Sequence, residues 1–498
     1  MTRDLAIRRT APPSRGLMRL LDAWLPARRW YPVKGVEVRH EPWLSYALDV
    51  PAPQDVGLPD DAWTDVRVTL HLVRLVGDGV DLVVQVPLVL VAAPAVPAAE
   101  HRPAVPLGEL EEDGQTWVVH DGAAHPACWA ALLTVAQWED GLVPDRTGED
   151  GSKTSRNAPD LDLTGGRALS LEQSNSSILL PATAGGTMLK VLRAIAIGPN
   201  PDVTIPRGLA AEGWGGVPRP LAWLEVGWEP DDVALPGSAT GRAAQADEAP
   251  RTAHLAILAE FVEGARDGFD LACAYAGQGE PFTDLGAELG RVLADLHAAL
   301  RRAFGVGAPV DATWLVADLR RRSDEAVASS RALARRADAI GAFWDRTGSR
   351  LAEVADVPDA LPRLQAVHGD LHLGQVLHAR RFGWKVLDFE GEPLRPVAER
   401  TRPDLALRDV AGIVRSFDYA AAVGQAHDPA WALHARAAFL DAYERADSAG
   451  TDHETSATLV RALTLDKALY EVVYESRNRP DWEPIPLDAV DRLLAADG

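Results

Sequence analysis

The alternation of apolar and polar positions changes character midway along the chain. In the first half, apolar residues alternate with polar ones over short runs such as 65–75 and 80–86, a pattern typical of half-buried β-strands. From Phe282 onward, the apolar positions recur at helical spacing instead. One helical stripe is formed by Leu285, Leu289, Val292, Leu293 and Leu296. The pattern therefore predicts sheets in the first half and mainly helices in the second.

Two polar stretches interrupt this pattern and suggest a division into domains. Residues 144–160 have almost no apolar content and predict a linker, and residues 229–252, rich in Ala, Gly, Asp and Pro, predict an insertion. We therefore expect an N-terminal cap domain over 1–143, a small lobe over 161–265 and a mainly helical lobe over 266–498.

Composition and charge exclude several classes of function. Apolar residues make up 47% of the 498 residues, and 72 acidic against 50 basic side chains give a formal charge of -22. Such a surface repels phosphate backbones and anionic lipid, so we expect neither nucleic acid nor a membrane as a partner. The two cysteines are far apart in sequence and cannot form a cysteine-rich zinc site. We expect a cytoplasmic, enzyme-sized protein.

The segment 367–391, VHGDLHLGQVLHARRFGWKVLDFEG, combines a predicted hairpin with oxygen-bearing side chains. Two short apolar runs, 376–378 and 384–387, predict antiparallel strands joined by a turn at 381–383. A hairpin of this length returns the chain to its starting edge. We therefore expect the residues that flank its two ends to lie near each other.

Asp370, Gln375 and Asp388 are the oxygen-bearing residues that flank this hairpin. Carboxylate and amide oxygens are the ligands that Mg²⁺ prefers, so we predict that Gln375 and Asp388 hold a magnesium ion that bridges nucleotide phosphates. The Asp370 carboxylate would then be available to accept a hydroxyl proton. This arrangement predicts phosphoryl transfer with ATP and Mg²⁺ as cofactors.

The same residues resemble a known kinase family. The sequences HGDLHLGQ at 368–375 and DFEG at 388–391 are similar to the catalytic and magnesium loops of the aminoglycoside-phosphotransferase-like kinases, and most closely resemble the actinobacterial branch of maltokinase-like and glucosamine kinases. The resemblance spans roughly residues 165 to 495 and includes LRDVAG at 407–412, KALYEVVYE at 467–475 and RNRP at 477–480. It implies an α+β, protein-kinase-like two-lobed fold, with a small mixed β lobe and a mainly helical C-terminal lobe. We expect an extra N-terminal α/β cap domain before them.

Lys190 is the candidate for holding the nucleotide phosphates. It lies in a predicted apolar strand at 187–192, and it is one of only five lysines among the fifty basic residues. A buried ammonium group is costly unless it is paired. In the kinase template the partners are the α- and β-phosphates together with a steadying acid. Asp202 and Glu212 are both candidates for that acid.

Two further segments are predicted to contact ATP. Ser174, Asn175 and Ser176 occupy the place of the glycine-rich loop of protein kinases and would offer donors to the phosphates. Glu260 and Val262 resemble the strand that joins the two lobes, where backbone groups would bind adenine.

The acceptor is predicted to bind on a helix at 463–476. One face of that helix carries Lys467, Tyr470, Glu471, Tyr474 and Glu475. Carboxylates hydrogen-bond to vicinal hydroxyls and tyrosine rings stack on the apolar faces of sugars, so this face predicts a carbohydrate. We also assign Trp482 to the pocket wall, and His372 to the acceptor side as a residue that orients the catalytic loop.

The sequence leaves the sugar open between two candidates. The carboxylate-rich helix and the atypical first domain favour glucosamine, phosphorylated to glucosamine 6-phosphate, over a maltokinase reaction that yields maltose 1-phosphate. A third possibility is a non-catalytic kinase-like partner of a sugar-metabolising enzyme. Whether the protein is a monomer or a dimer is not decided by the sequence.

Overall fold

The chain divides into two compact units. The computed structural model describes residues 6–93, 105–139, 161–169, 175–229, 251–357, 360–391, 402–447 and 452–495. Unit 1 comprises Met1–Val203 with Arg219–Phe261, and unit 2 comprises Thr204–Pro218 with Val262–Gly498. The predicted linker at 144–160 and positions 230–250 of the predicted insertion lie outside the described residues.

Unit 1 is built mainly of strands. Its strands are β1 (Ile7–Arg9), β2 (Val38–Leu48), β3 (Val66–Gly77), β4 (Val80–Ala92), β5 (Gly108–Glu112), β6 (Gln115–Asp121), β7 (Gln137–Trp138), β8 (Arg167–Ala168), β9 (Ser176–Leu180), β10 (Thr187–Val191), β11 (Ala194–Ile195), β12 (Pro220–Trp228) and β13 (Arg251–Glu260). The helices in this part of the chain are α1 (Arg15–Trp24), α2 (Pro126–Val135) and α3 (Pro201–Ala211), whose last residues fall in unit 2.

These strands form two antiparallel sheets. The first has the order β1-β2-β3-β4-β6-β5, and β11 pairs with β4 beside it. The second has the order β7-β12-β13-β10-β9-β8. The long β3–β4 hairpin matches the alternation at 65–75 and 80–86, because alternating positions bury one face of each strand.

A common hydrophobic core lies against both sheets. Leu44 and Leu70 of the first sheet belong to the same buried cluster as Leu189 and Leu258 of the second, and Leu132 of α2 joins them. Residues on both sides of position 143 belong to unit 1, which ends at Phe261, and the expected domain bounds stay a prediction. The sequence could not show that the two sheets share one core, because two sheets that pack face to face have the same alternating pattern as two separate amphipathic sheets.

Unit 2 is mainly helical. Its further helices are α4 (Gly268–Gln278), α5 (Thr283–Phe304), α6 (Ala312–Ser329), α7 (Arg331–Ala334), α8 (Ala337–Val354), α9 (Leu407–Val423), α10 (Trp431–Ala446), α11 (His453–Asn478) and α12 (Pro484–Ala495). Its short strands are β14 (Arg266–Asp267), β15 (Val306–Pro309), β16 (Arg363–Gln365), β17 (Val376–Ala379) and β18 (Gly383–Val386). Among the helices that the structure describes, none has a stretch long and apolar enough to cross a bilayer.

Helix α9 is the central element of unit 2. Most of its residues between Leu407 and Ala420 are buried, because α4, α10 and α11 all pack against it. At Gly412 the packing is closest: a Cβ atom there would lie 2.1 Å from the carbonyl oxygen of Leu371. The missing side chain lets the segment that contains Asp370 lie directly on the helix.

Candidate active site

The predicted hairpin is present and joins the two candidate metal ligands. Strands β17 and β18 pair in the register Val376 to Val386, and the Leu387 amide donates to the Gln375 carbonyl oxygen over 2.9 Å. The backbone of Gln375 therefore lies against the residue that precedes Asp388. The sequence predicts this geometry because two short apolar runs around a turn leave one register that buries both.

Asp388 adopts an uncommon backbone conformation at this position. Its φ angle is +64°, in the left-handed region that few residues other than glycine adopt and that aspartate tolerates better than most. A carboxylate oxygen of Asp388 lies within 4.8 Å of one from Glu390. Together with the amide of Gln375, these residues carry carboxylate and amide oxygens, which are the ligands that a hard cation such as Mg²⁺ or Ca²⁺ prefers.

The loop that carries Asp370 is anchored by a buried aspartate of α9. The two carboxylate oxygens of Asp409 accept hydrogen bonds from the amides of His368, over 2.8 Å, and Gly369, over 2.9 Å. His297 lies 3.2 Å from the same carboxylate and 2.8 Å from the hydroxyl of Tyr443. Burial raises the pKa of Asp409, but the hydrogen bond and charge of His297 outweigh burial, and the net pKa lies below its ordinary value.

His368 ties the Asp370 loop to the Asp388 loop. Its Nε2 atom donates to the Leu387 carbonyl oxygen over 2.6 Å, so its Nδ1 atom is left to accept the Asp370 amide at 3.4 Å. The ring also packs on Phe389 with a centroid distance of 4.9 Å. A single imidazole thus fixes the spacing between the candidate base and the candidate metal ligand.

Asp370 faces a lysine of α11 in a small polar pocket of unit 2. Lys467 Nζ lies 3.2 Å from Asp370 Oδ1, and the two side chains are 30% and 20% exposed. The polar lining of this pocket comprises Arg322, Asp370, Arg408, Asp466, Lys467 and Tyr470. Two of the five residues predicted on the acceptor face of α11, Lys467 and Tyr470, therefore lie beside the candidate base.

Glu471 and Glu475, on the same predicted face, bind protein cations and are not among the residues that line this pocket. Glu471 accepts a hydrogen bond from Nε of the fully buried Arg415 over 2.8 Å. Glu475 accepts from Arg479 over 2.7 and 2.8 Å and from the Tyr419 hydroxyl over 3.0 Å. Burial raises the pKa of Glu471, and the charge of Arg415 opposes that rise.

The remaining residues predicted on the acceptor side lie around this helix and the catalytic loop. The ring of Tyr474, which is 39% exposed, stacks on Tyr470 with a centroid distance of 6.2 Å. Trp482 packs under the guanidinium group of Arg479 at 4.2 Å. His372 Nδ1 accepts the Gly374 amide over 3.1 Å, and burial lowers the pKa of His372, which keeps the ring neutral for this bond.

On the nucleotide side, unit 1 pairs Lys190 with Asp202. Lys190 Nζ lies 2.5 Å from Asp202 Oδ2 at the start of α3. Of the two acids that the sequence left open, Asp202 is thus the one paired with the lysine. The other, Glu212, lies 3.6 Å from Arg302 within unit 2.

The other predicted nucleotide contacts are only partly described. Ser174 lies outside the described residues, whereas Asn175 and Ser176 lie at the start of β9. Glu260 ends β13, where its amide donates to the Arg219 carbonyl oxygen over 2.9 Å. Val262 is buried and is the first residue of the second segment of unit 2.

Sequence reasoning missed several polar residues of this site. Asp466 is buried between Arg322, at 3.0 Å, and Arg408, at 3.3 Å, and lies one residue before the motif that begins at Lys467. Asp409 lies in the LRDVAG segment, where it was matched but given no role. Arg322 lies on α6, and no pattern in the sequence links it to the catalytic loop.

Comparison with known proteins finds glucosamine kinases among the proteins similar to this chain. No protein-family model matches the chain. Two curated relatives, the glucosamine kinases of Mycolicibacterium smegmatis and Streptacidiphilus jiangxiensis, are each 29% identical, over 351 and 357 residues. The first alignment covers 66% of this chain and 80% of the relative, and the second covers 67% and 74%.

The solved structure of a glucosamine kinase in complex with glucosamine, ADP and inorganic phosphate superposes with a TM-score of 0.57. The match has 23% identity and covers 97% of this chain and 100% of that one. The chain has the kinase-like fold of the glucosamine kinases. The predicted α+β, protein-kinase-like fold and the predicted resemblance are therefore confirmed, and the relatives favour the glucosamine kinase side of the branch.

Proposed function

We propose that this chain is an ATP- and Mg²⁺-dependent glucosamine kinase that transfers the γ-phosphoryl group to glucosamine and forms glucosamine 6-phosphate. The observation that carries the proposal is the Asp370 carboxylate beside Lys467 in a polar pocket, next to the Gln375–Asp388 hairpin. Two curated relatives, each 29% identical to this chain, are glucosamine kinases. Because it consumes ATP, we place the reaction in the cytoplasm.

In the proposed mechanism Asp370 orients the acceptor hydroxyl and takes its proton. Lys467 Nζ lies 3.2 Å from Asp370 Oδ1 and would fix the position of the carboxylate that faces the acceptor. Asp409 and His368 hold the loop in place, so that orientation and positioned charge supply most of the rate enhancement.

Each unit carries predicted contacts for the nucleotide. In unit 1, Lys190 would bind the phosphates, with Asp202 fixing its position, and Asn175 and Ser176 would add donors. In unit 2, Gln375 and Asp388 would hold Mg²⁺, which neutralises charge on the phosphates when bound. Ser174, Glu260 and Val262 remain predicted nucleotide contacts.

The acceptor would bind along α11. Lys467 and Tyr470 are its best-supported contacts, because both lie beside Asp370. For Glu471 and Glu475 we retain the predicted contact with the sugar, with Arg415 and Arg479 fixing the two carboxylates in place. Tyr474, Trp482 and His372 complete the predicted acceptor side.

An acceptor panel tests this proposal. ATP consumption is measured with glucosamine, N-acetylglucosamine, glucose and maltose, and the phosphorylated position is read by NMR. We expect kcat/KM for glucosamine to exceed the others by about tenfold or more, since a site that pairs with an ammonium group discriminates against analogues that lack it. Maltose 1-phosphate as the main product would establish the maltokinase reaction instead. If no sugar of the panel causes ATP to be consumed, the non-catalytic alternative is favoured.

A further inference from the structure

Arg193 is a fully buried cation that follows the strand carrying Lys190. Arg193 lies between β10 and β11 and has no solvent-accessible surface. Its carbonyl oxygen accepts the Gln85 amide over 2.7 Å, and the Gln85 side chain donates to the carbonyl oxygens of Leu192 and Leu255. The backbone at Arg193 is therefore fixed to β4 of the first sheet and to β13 of the second.

Arg193 also binds the two described residues of the predicted phosphate-binding segment. Its amide donates to Asn175 Oδ1 over 2.9 Å, and its Nε atom donates to Ser176 Oγ over 2.9 Å. Both side chains that we assign to phosphate binding are thus oriented by one arginine, 17 to 18 residues further along the chain.

Two residues of the N-terminal region, Asp121 and Trp30, contact the guanidinium group of Arg193. Nη2 donates to both carboxylate oxygens of Asp121, over 2.9 and 2.7 Å, at the end of β6. Cζ of the guanidinium group lies 4.4 Å from the ring centroid of Trp30. A charged side chain held at both ends in this way has little rotational freedom.

The energetics make Asp121 important for this arrangement. Nη1 of Arg193 is buried without a hydrogen-bond partner, so the guanidinium already lacks part of the solvation it would have in water. Removing the charge of Asp121 would leave a buried cation less compensated, and such a cation moves toward water. Movement of the Arg193 side chain would release Ser176 directly and would loosen the segment next to Asn175, which is bonded to the Arg193 amide.

We propose that Asp121 and Trp30 position Arg193, and that Arg193 in turn holds the Asn175–Ser176 segment in the conformation that binds the nucleotide phosphates. The N-terminal region would then set nucleotide affinity without touching the nucleotide. Asp121, Trp30 and Arg193 act as positioning residues. The inference rests on the proposed function in assigning Asn175 and Ser176 to the phosphates.

The test uses Asp121→Asn in the full-length protein, because asparagine keeps the size and removes the charge. Asp81→Asn is the matched control: Asp81 also binds an arginine, Arg74, over 2.6 and 2.7 Å in the first sheet, away from residues 175–176. Three quantities are measured: the Kd for Mg-ADP, the steady-state constants with ATP and glucosamine, and amide hydrogen exchange in the peptide 175–180 without nucleotide.

We expect Asp121→Asn to raise the Kd for Mg-ADP and the KM for ATP by about tenfold, the equivalent of ~1.4 kcal/mol. The KM for glucosamine and kcat should stay within about twofold, a split that general destabilisation does not produce. Exchange at 175–180 should accelerate in this variant and not in Asp81→Asn.

Three results would overturn the inference. The first is an unchanged Kd and unchanged exchange at 175–180 in Asp121→Asn. The second is an equal change in Asp81→Asn. The third is faster exchange at 175–180 in Asp121→Asn while its Kd for Mg-ADP equals that of an ADP-binding wild type. That result would show that the segment does not bind the phosphates. A wild type that binds no nucleotide at all would instead contradict the proposed function, and with it this inference.

Discussion

Asp388 is a proposed metal ligand and also has a left-handed backbone conformation, with a φ angle of +64°. Residues with positive φ other than glycine store strain of the order of 1–3 kcal/mol, and such strain concentrates at functional sites. Aspartate and asparagine both tolerate this region better than other residues. A change between them therefore tests the carboxylate with little disturbance of the loop.

Asp388→Asn is expected to raise the Mg²⁺ concentration for half-maximal activity by about tenfold, or ~1.4 kcal/mol of metal binding, because a neutral amide replaces a charged ligand. A magnesium titration of the steady-state rate measures this. Asp345→Asn, at an exposed acid of α8, is the control and should follow the wild-type curve. An unchanged titration in Asp388→Asn would count against this residue as a ligand.

At the residue scale, the short spacing of the hairpin predicted that Gln375 and the residue before Asp388 lie together. The roles of Asp370, Gln375 and Asp388 stay predictions. The partner of Lys190 remained open because Asp202 reaches it only through the position of α3. The partners of Glu471 and Glu475 could not be predicted, since Arg415 lies on a different helix, 56 residues away from Glu471.

At the scale of elements, helix α9 packs against the loop that carries Asp370 and binds its backbone. It supplies Asp409 to the loop amides, Ser416 Oγ to the Leu373 amide over 3.2 Å, and the bare backbone of Gly412 to the carbonyl of Leu371. Helical periodicity predicted helices in this region. It could not indicate which helix lies against the loop, because nearly all faces of α9 are buried, including its polar residues Asp409 and Ser416.

Gly412→Ala is expected to lower kcat by roughly 10- to 100-fold, because the new Cβ would lie 2.1 Å from the Leu371 oxygen and a shift of about 1 Å at a catalytic group has effects of this size. Gly341→Ala on α8 is the control, since no atom lies within 4 Å of a Cβ placed there. That control should keep kcat and gain up to about 1 kcal/mol of stability. Thermal unfolding of both variants accompanies the kinetics, and a wild-type kcat in Gly412→Ala would refute the close contact.

At the scale of the whole molecule, the fold was predictable and the grouping of its parts was not. Strand alternation followed by helical spacing indicated a sheet region and a helical region, and the kinase motifs fixed their order. The first two expected domains form one compact unit because their sheets share the core around α2. Such packing depends on contacts between segments more than 100 residues apart, which local patterns do not encode.

Two buried histidines of unit 1 predict how stability depends on pH. Burial lowers the pKa of His71 to about 4, and burial followed by the charge of His120 lowers the pKa of His125 to about 4. Unfolding returns each pKa to its ordinary value near 6.5, so the unfolded chain binds more protons between pH 4 and 6.5. Their contribution to stability is therefore complete above pH 6.5 and is lost as the pH falls toward 4.

Thermal unfolding between pH 7.5 and 5 measures this loss. Each histidine contributes up to about 1.4 kcal/mol per pH unit within the window, so the midpoint should fall steadily below pH 6.5. His71→Gln should flatten the dependence, whereas His434→Gln, at an exposed histidine of α10, should leave it unchanged. Equal slopes in the two variants would show that His71 is not the group responsible.

The most direct measurement of the central claim compares wild type and Asp370→Asn for the rate of glucosamine phosphorylation and for Mg-ADP affinity. General-base catalysis is worth about 10²- to 10⁴-fold, so we predict a loss of turnover of that size with a Kd for Mg-ADP within about twofold of wild type. A variant that phosphorylates glucosamine at close to the wild-type rate would contradict the account.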